Sequence, residues 1–201
     1  FFTPELEVDL CGHATLASAF TYFNFLNPDA HEIVFQANRS EIKAVKANDS
    51  IMLSLPKDEP RKILDLNAFS QALNAQVLEV YKGIDDFMVV LEDEAAVANN
   101  EPDFNLIKAM DSRGLIITAK GEEVDFVSRW YGPQTGINED PATGSAHALL
   151  ATYWSGIFNK SDLSAKQLSK RVGLLHCLVK EEKVDITGQA ALYLRGTLQL
   201  N

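Results

Sequence analysis

The stretch Glu139-Asp140-Pro141-Ala142-Thr143-Gly144-Ser145-Ala146-His147 runs directly into Ala148-Leu149-Leu150-Ala151-Thr152-Tyr153-Trp154. Two acids, a proline and a Thr-Gly-Ser turn lead into an apolar, alanine-rich helical run. A helix N-terminus carries unpaired backbone N–H groups and a partial positive charge. The segment therefore reads as an anion-holding helix mouth with a carboxylate in its approach. A helix that is apolar on nearly all sides is a buried one.

A second, weaker copy lies near the start: Glu7-Val8-Asp9-Leu10-Cys11-Gly12-His13-Ala14-Thr15-Leu16-Ala17-Ser18-Ala19-Phe20-Thr21-Tyr22. Laid over the first without gaps, Glu7 falls on Glu139, Cys11 on Thr143, Gly12 on Gly144, His13 on Ser145 and Tyr22 on Trp154. Both copies share one grammar: an acid, a polar turn, a glycine, a small polar residue, then a buried helix. Two such helices suggest two similar half-structures whose mouths face each other across a cleft.

The 201 residues suffice for one large or two small domains, each with its own core. Hydrophobic residues make up 46% and charged residues 23%, an ordinary soluble composition. A net charge of −10 argues against nucleic acid as a partner, because a phosphate-binding face must be basic. No apolar run reaches membrane-spanning length, so no membrane association is expected. The two cysteines, Cys11 and Cys177, have neither metal-ligand nor disulfide-framework spacing. A reducing, cytoplasmic location is the expectation. The opening Phe1-Phe2-Thr3-Pro4 reads as the tail of a strand that began earlier, so the chain is expected to lack its natural N-terminus.

Along the chain, residues 31–36, 41–46 and 50–55 alternate as strands, and Pro56-Lys57-Asp58-Glu59-Pro60 is a short linker. Residues 66–73, 93–99 and 105–110 read as helices, and 77–82, 86–91, 114–119 and 124–131 as strands. Ser164-Ala165-Lys166-Gln167 looks like a capped helix start running to Arg171. Residues 174–181, 183–187 and 190–199 then read as strands. The fold class is α+β, without the β-α-β alternation of a doubly wound sheet. We expect an N-terminal domain over 1–56, completed by a C-terminal strand over 189–201, and a second domain over 57–188.

Joined around one small anion, the two mouths could do acid/base chemistry. Backbone N–H groups near Gly12 and Gly144 could hold a substrate carboxylate and stabilise the charge left when a proton leaves the adjacent carbon. Such weak carbon acids need an opposing acid and base with tuned pKa values. His13 and Ser145 occupy matching first-turn positions, and Asp140 lies beside the second. Each has a bland alternative: Asp140 as a complement to the helix dipole, Thr143 and Ser145 as caps, His13 as a structural histidine. Cys11 reads equally as a small hydrophobe or a reactive thiol. A Cys11–His13 hydrolase is disfavoured because positions two apart on a helix do not face one another. Nothing in the sequence offers a metal site, a phosphate loop or a dinucleotide fingerprint, so no cofactor is expected.

Residues 11–19 (Cys-Gly-His-Ala-Thr-Leu-Ala-Ser-Ala) and 139–147 resemble the two signature segments of the phenazine-biosynthesis PhzF-like isomerases. Supporting matches are Phe2-Thr3-Pro4, Ser128-Arg129-Trp130-Tyr131, Gln167-Leu168-Ser169 and Thr187-Gly188-Gln189-Ala190. The resemblance runs from first residue to last. It implies a diaminopimelate epimerase-like fold, with two pseudo-symmetric domains, each a curved mixed sheet around a central helix, the first incomplete here. It also implies a cofactor-independent proton-transfer isomerisation of a small carboxylate and a homodimer. Carried over by motif, His13, Asp140 and Ser145 are the catalytic candidates, and Gly12, Thr143 and Gly144 the substrate-binding ones.

Two departures qualify the match. The family's principal acid/base glutamate is expected upstream of residue 1, so this chain alone is expected to be inactive. The alternative is a truncated or degenerate member that binds without catalysing. Related racemases use two facing thiols, and Ala142, Thr143 and Ser145 leave none in the second signature.

Overall fold

In the sixth to eighth strands of the chain, hydrophobic side chains alternate between two cores, and that division organises the molecule. The computed structural model describes Phe1, Phe2, Glu7, residues 11–38 and 40–197, and Gln199. Its strands are β1 (Glu32–Gln36), β2 (Glu41–Ala47), β3 (Ser50–Pro56), β4 (Arg61–Ile63), β5 (Glu79–Lys82), β6 (Asp86–Val90), β7 (Gly114–Lys120), β8 (Phe126–Gly132), β9 (Ile137–Glu139), β10 (Asp162–Gln167), β11 (Gly173–Val179) and β12 (Lys183–Gly188). The helices are α1 (Gly12–Thr21), continued by a π-helical turn at Tyr22–Leu26, and α2 (Asn67–Leu73), α3 (Glu94–Ala98), α4 (Phe104–Lys108) and α5 (Gly144–Phe158).

The strands form one mixed sheet in the order β1-β2-β3-β12-β11-β10-β8-β7-β6-β5-β4, with β9 on β8. Only the β6–β7 and β8–β10 pairs are parallel. The sheet curves around α5, whose residues Ala146 to Trp154 are all buried. The helix packs on β3, β10, β11 and β12. Its far side reaches β5 and β7: Tyr153 lies 5.0 Å from the Tyr81 ring, and Trp154 Nε1 donates to Thr118 Oγ1 at 3.0 Å. On the inner face Met88, Val90, Ile116, Phe126 and Trp130 join α5 in one core. On the outer face Val89, Leu115, Ile117 and Val127 meet Leu73, Val97 and Ile107 of α2, α3 and α4. β7 is therefore buried on both faces, which is why it reads as a continuous apolar run rather than an alternating one. Fully burying a leucine such as Leu149 or Leu150 contributes about 2 kcal/mol, so α5 alone anchors much of the inner core.

Two sequence expectations are corrected. Residues 164–171 do not form a helix. Asp162–Gln167 is β10, paired with β8 and β11, and its inward residues alternate as Leu163, Ala165 and Gln167. Ser164 does not cap: its N–H and hydroxyl both donate to Asp125 Oδ2 across the sheet. Residues 190–197 likewise form no strand, and Leu192, Tyr193 and Leu194 are exposed. Leu198, Leu200 and Asn201 lie outside the described residues, as do Thr3 and Pro4 of the opening match and Val8 to Leu10 of the first repeat. The short strands β4 and β9 carry no sequence signal we recognised. Among the described residues no helix is long and apolar enough to cross a membrane.

Candidate active site

The loop entering α5 is fixed from three sides. Thr143 occupies the N-cap position but its side chain caps nothing. Its hydroxyl donates to Asp140 Oδ2 at 2.6 Å and its N–H to Gln167 Oε1 at 2.7 Å, while Gln167 Nε2 donates to the Asp140 carbonyl at 2.7 Å. Ser169 Oγ donates to the Pro141 carbonyl at 2.9 Å, and the Asp140 N–H to the Trp130 carbonyl at 3.2 Å. Gln167, the last residue of β10, and Ser169 just beyond it thus hold the loop in shape, and both lie in the 164–171 stretch whose sequence reads as a helix. Below them, His147 is fully buried and its Nδ1–H donates to the Thr143 carbonyl at 2.9 Å. Burial pushes its pKa down to about 4 against that hydrogen bond, so the ring is neutral near pH 7.

The second mouth meets the first at two glycines. A Cβ built on Gly12 would lie 3.1 Å from Gly144 Cα and 3.3 Å from the Ser145 nitrogen. A side chain at position 12 would press the two backbones apart by a few tenths of an ångström, so glycine there keeps both sets of N-terminal N–H groups beside one space. The mouths that the repeat suggested do face each other.

Cys11, the N-cap of α1, has extended backbone angles (φ −136°, ψ 99°) and no side-chain cap. That conformation corrects the spacing argument against it. Position 11 is not helical, so the rule for residues two apart does not apply, and Cys11 Sγ lies 3.5 Å from His13 Nε2. The other ring nitrogen, Nδ1, is 3.7 Å from Asp140 Oδ2. Interaction with the Asp140 carboxylate, reinforced by Cys11 and opposed by partial burial, pushes His13 up to about 10. Burial raises the Cys11 thiol, but the His13 contact and the Ala14 N–H outweigh it and hold the thiol below its ordinary value. A Cys–His–Asp line therefore crosses the junction, its imidazole charged near neutrality.

The third wall was not expected from sequence. Arg113, just before β7, sends Nη1 to Ser145 Oγ at 3.0 Å, while its Nε (3.0 Å) and Nη2 both grip the Asp86 carboxylate. Trp130 Nε1 also donates to Asp86, at 3.1 Å, and the guanidinium carbon lies 5.5 Å from the Trp130 ring centre. Ser145 is thus no cap either. Burial opposes the charge on Arg113, but Asp86 outweighs it and keeps the guanidinium protonated. Arg113, Trp130 and Ile137 join the residues of both mouths in lining a cavity of about 70 Å³. A larger hollow of about 570 Å³, on the other side of that loop at Arg129, Glu139, Pro141 and Lys170, is lined by no residue of α1 or α5. Cys177, buried in β11 with its thiol pushed up to about 12, plays no part in this site.

The family model for phenazine biosynthesis-like proteins matches residues 1–196. The chain belongs to that family. An uncharacterized isomerase of Pseudomonas aeruginosa is 43% identical over 200 residues, covering 100% of this chain and 77% of the relative. The crystal structure of a PhzF-family phenazine biosynthesis protein from Enterococcus faecalis is similar at 44% identity and a TM-score of 0.93, over 99% of this chain and 76% of that one. A probable proline racemase from Agrobacterium radiobacter shares 9% identity at a TM-score of 0.63, over 99% of this chain and 70% of its own, a likeness of fold alone. In this phenazine biosynthesis-like protein the curved α+β sheet and its central helix are accordingly the fold of the family and of its racemase neighbours. Among the described residues no group of three or more His, Cys, Asp or Glu side chains is arranged to hold a metal ion.

Proposed function

We propose that the protein is an isomerase that moves a proton on a small carboxylate-bearing substrate held between the N-termini of α1 and α5. The observation carrying this reading is the meeting of Gly12 and Gly144, which turns two helix mouths into one cradle beside His13, Asp140 and Ser145. Backbone N–H groups of both mouths and the Ser145 hydroxyl hold the substrate carboxylate. They stabilise the negative charge that spreads onto it when the neighbouring carbon is deprotonated.

Asp140 takes the proton from that carbon, and the His13 imidazolium supplies the proton that appears at the new carbon. Transfer from Asp140 to His13, across their 3.7 Å contact, restores both groups. Thr143 keeps the Asp140 carboxylate oriented through its short hydrogen bond. In this reading the proton moves between protein side chains and substrate without a cofactor, and a further acid/base from the segment expected upstream of residue 1 would add to these groups. The uncharacterized isomerases among the relatives carry the same class of activity in their names, which supports the reading.

The test is solvent deuterium incorporation, at the carbon next to the carboxylate, across a library of small carboxylic acids. Asp140→Asn and His13→Ala are each expected to slow exchange on the order of a thousandfold with the fold intact. Unchanged exchange in both variants overturns the assignment.

A further inference from the structure

Ser145 is held by a partner that can only donate. A hydroxyl has one O–H and two lone pairs, whereas a guanidinium has five N–H groups and no acceptor. With Arg113 Nη1 at 3.0 Å, Ser145 Oγ is the acceptor in that bond, and its own proton must point elsewhere. Arg113 is itself locked: Nε and Nη2 are occupied by Asp86, and its backbone N–H donates to the Asp85 carbonyl at 2.9 Å. Asp86 is placed by the parallel β6–β7 register, which sets it opposite Gly114, next in sequence to Arg113. Of the five guanidinium N–H groups, one on Nε, one on Nη2 and one on Nη1 are engaged, leaving one on each terminal nitrogen.

The geometry points to Arg113, clamped by Asp86, as the residue that makes this cavity selective for a carboxylate over its neutral amide. It does so in two ways. It orients Ser145 as a donor into the cavity, and it adds a fixed cation with unspent N–H groups to a wall made of helix N-termini. A neutral amide offers these donors one acceptor oxygen and no net charge, whereas a carboxylate offers two oxygens and a full negative charge to the fixed cation. Asp86 is a positioning residue: it holds the fork in place and is turned away from the cavity by its contacts with Arg113 and Trp130.

This inference rests on the carboxylate reading of the site, and the test separates the two. Acetate and acetamide are titrated into the protein, following the backbone amide resonances of Gly12, Gly144 and Ser145. The wild type is expected to bind acetate at least about tenfold more tightly than acetamide. Arg113→Gln is expected to reduce that preference to within about twofold. Because that variant strands the buried Asp86 carboxylate, the neutral pair Asp86→Asn/Arg113→Gln is measured beside it, its fold checked by thermal unfolding. It too should lose the preference, with acetate affinity falling by a larger factor than that for acetamide. If the pair keeps the wild-type preference, Arg113 is a structural ion-pair partner only and the inference fails, with the carboxylate site standing. If acetate fails to perturb the wild-type amides, the site reading falls and takes this inference with it.

Discussion

The two helix mouths come from similar sequences and share one cavity, yet they are built to opposite standards. Around α5 the approach is buried and pinned. Asp140, Thr143 and His147 are enclosed, and Gln167 and Ser169 tie the loop from a neighbouring hairpin. Around α1 the His13 side chain is 56% exposed, Cys11 is half-buried, and the helix continues into a turn whose Phe25 and Leu26 face outward. The difference assigns different work to them. Rigid, pre-oriented donors suit the holding of an anion, since fixed dipoles need no rearrangement as charge develops. A side chain with access to solvent and a charged partner suits the exchange of protons.

The two histidines, one beside each mouth, make that contrast measurable as opposite pH dependences. His147 has its pKa pushed down to about 4 in the folded protein, from an ordinary value near 6.5. On acidification the unfolded chain takes up this proton first, so its stabilising contribution is complete above about pH 6.5 and is lost as the pH falls toward 4. The loss amounts to about 3 kcal/mol. His13, pushed up to about 10, does the reverse. Its contribution is complete below about pH 6.5 and is lost as the pH rises through 10, and exposure to solvent makes it the smaller of the two. Urea unfolding of wild type, His147→Gln and His13→Gln between pH 4 and 10 checks this. His147→Gln should flatten the acid limb and His13→Gln the alkaline limb. Identical pH profiles for the two variants would break the distinction.

The glycines sharpen it next. A methyl at Gly12 meets only backbone, at 3.1 and 3.3 Å, and no flexible side chain can yield. A methyl at Gly144 lies 3.5 Å from Gly12 Cα, an ordinary contact. Both glycines are the first residues of their helices, so the interior helix preference for alanine contributes little and the two substitutions differ chiefly in these contacts. Separating the mouths by a few tenths of an ångström in Gly12→Ala is expected to lower deuterium exchange on the order of thirtyfold, against less than about threefold for Gly144→Ala. Equal losses would mean that closeness of the two backbones is not what makes the site.

What could be read from the chain follows the range of the forces involved. Each mouth is a contiguous run in which glycine, polar turn and apolar helix act over one or two turns, so both were visible, and their likeness implied that they face each other. Arg113 and Asp86 were invisible. They stand 27 residues apart, belong to no motif, and are joined to Ser145 only by sheet register. β10 was misread because Ser164 and Gln167 have the spacing of a capping box, while strand partners on both sides override that local preference. Residues 190–197 alternate, but alternation makes a strand only where another strand pairs with it, and these residues join no ladder among the described residues. The Cys11–His13 contact escaped a rule for helices because the residue before a helix is extended.

Gln167 shows how much of the α5 mouth's rigidity comes from outside it, and its replacement is the gentlest test of the contrast. One amide satisfies the buried Thr143 N–H and the Asp140 carbonyl together. Gln167→Leu keeps most of the volume but leaves both groups without their partner, at a cost of about 2 kcal/mol. The counterpart at the α1 mouth is Thr15, fully buried, whose hydroxyl donates to the Cys11 carbonyl at 2.8 Å. That carbonyl also accepts the Thr15 N–H at 3.0 Å, so Thr15→Val removes a second bond and strands nothing, at a cost of about 0.5 kcal/mol. Thermal unfolding of the two variants should therefore show the larger fall for Gln167→Leu. Amide hydrogen exchange should show faster opening at Thr143 in that variant and little change at Ala14 and Thr15 in the other. If both mouths loosen equally, the pinned mouth is no more rigid than the open one, and the division between holding the anion and moving the proton loses its structural basis.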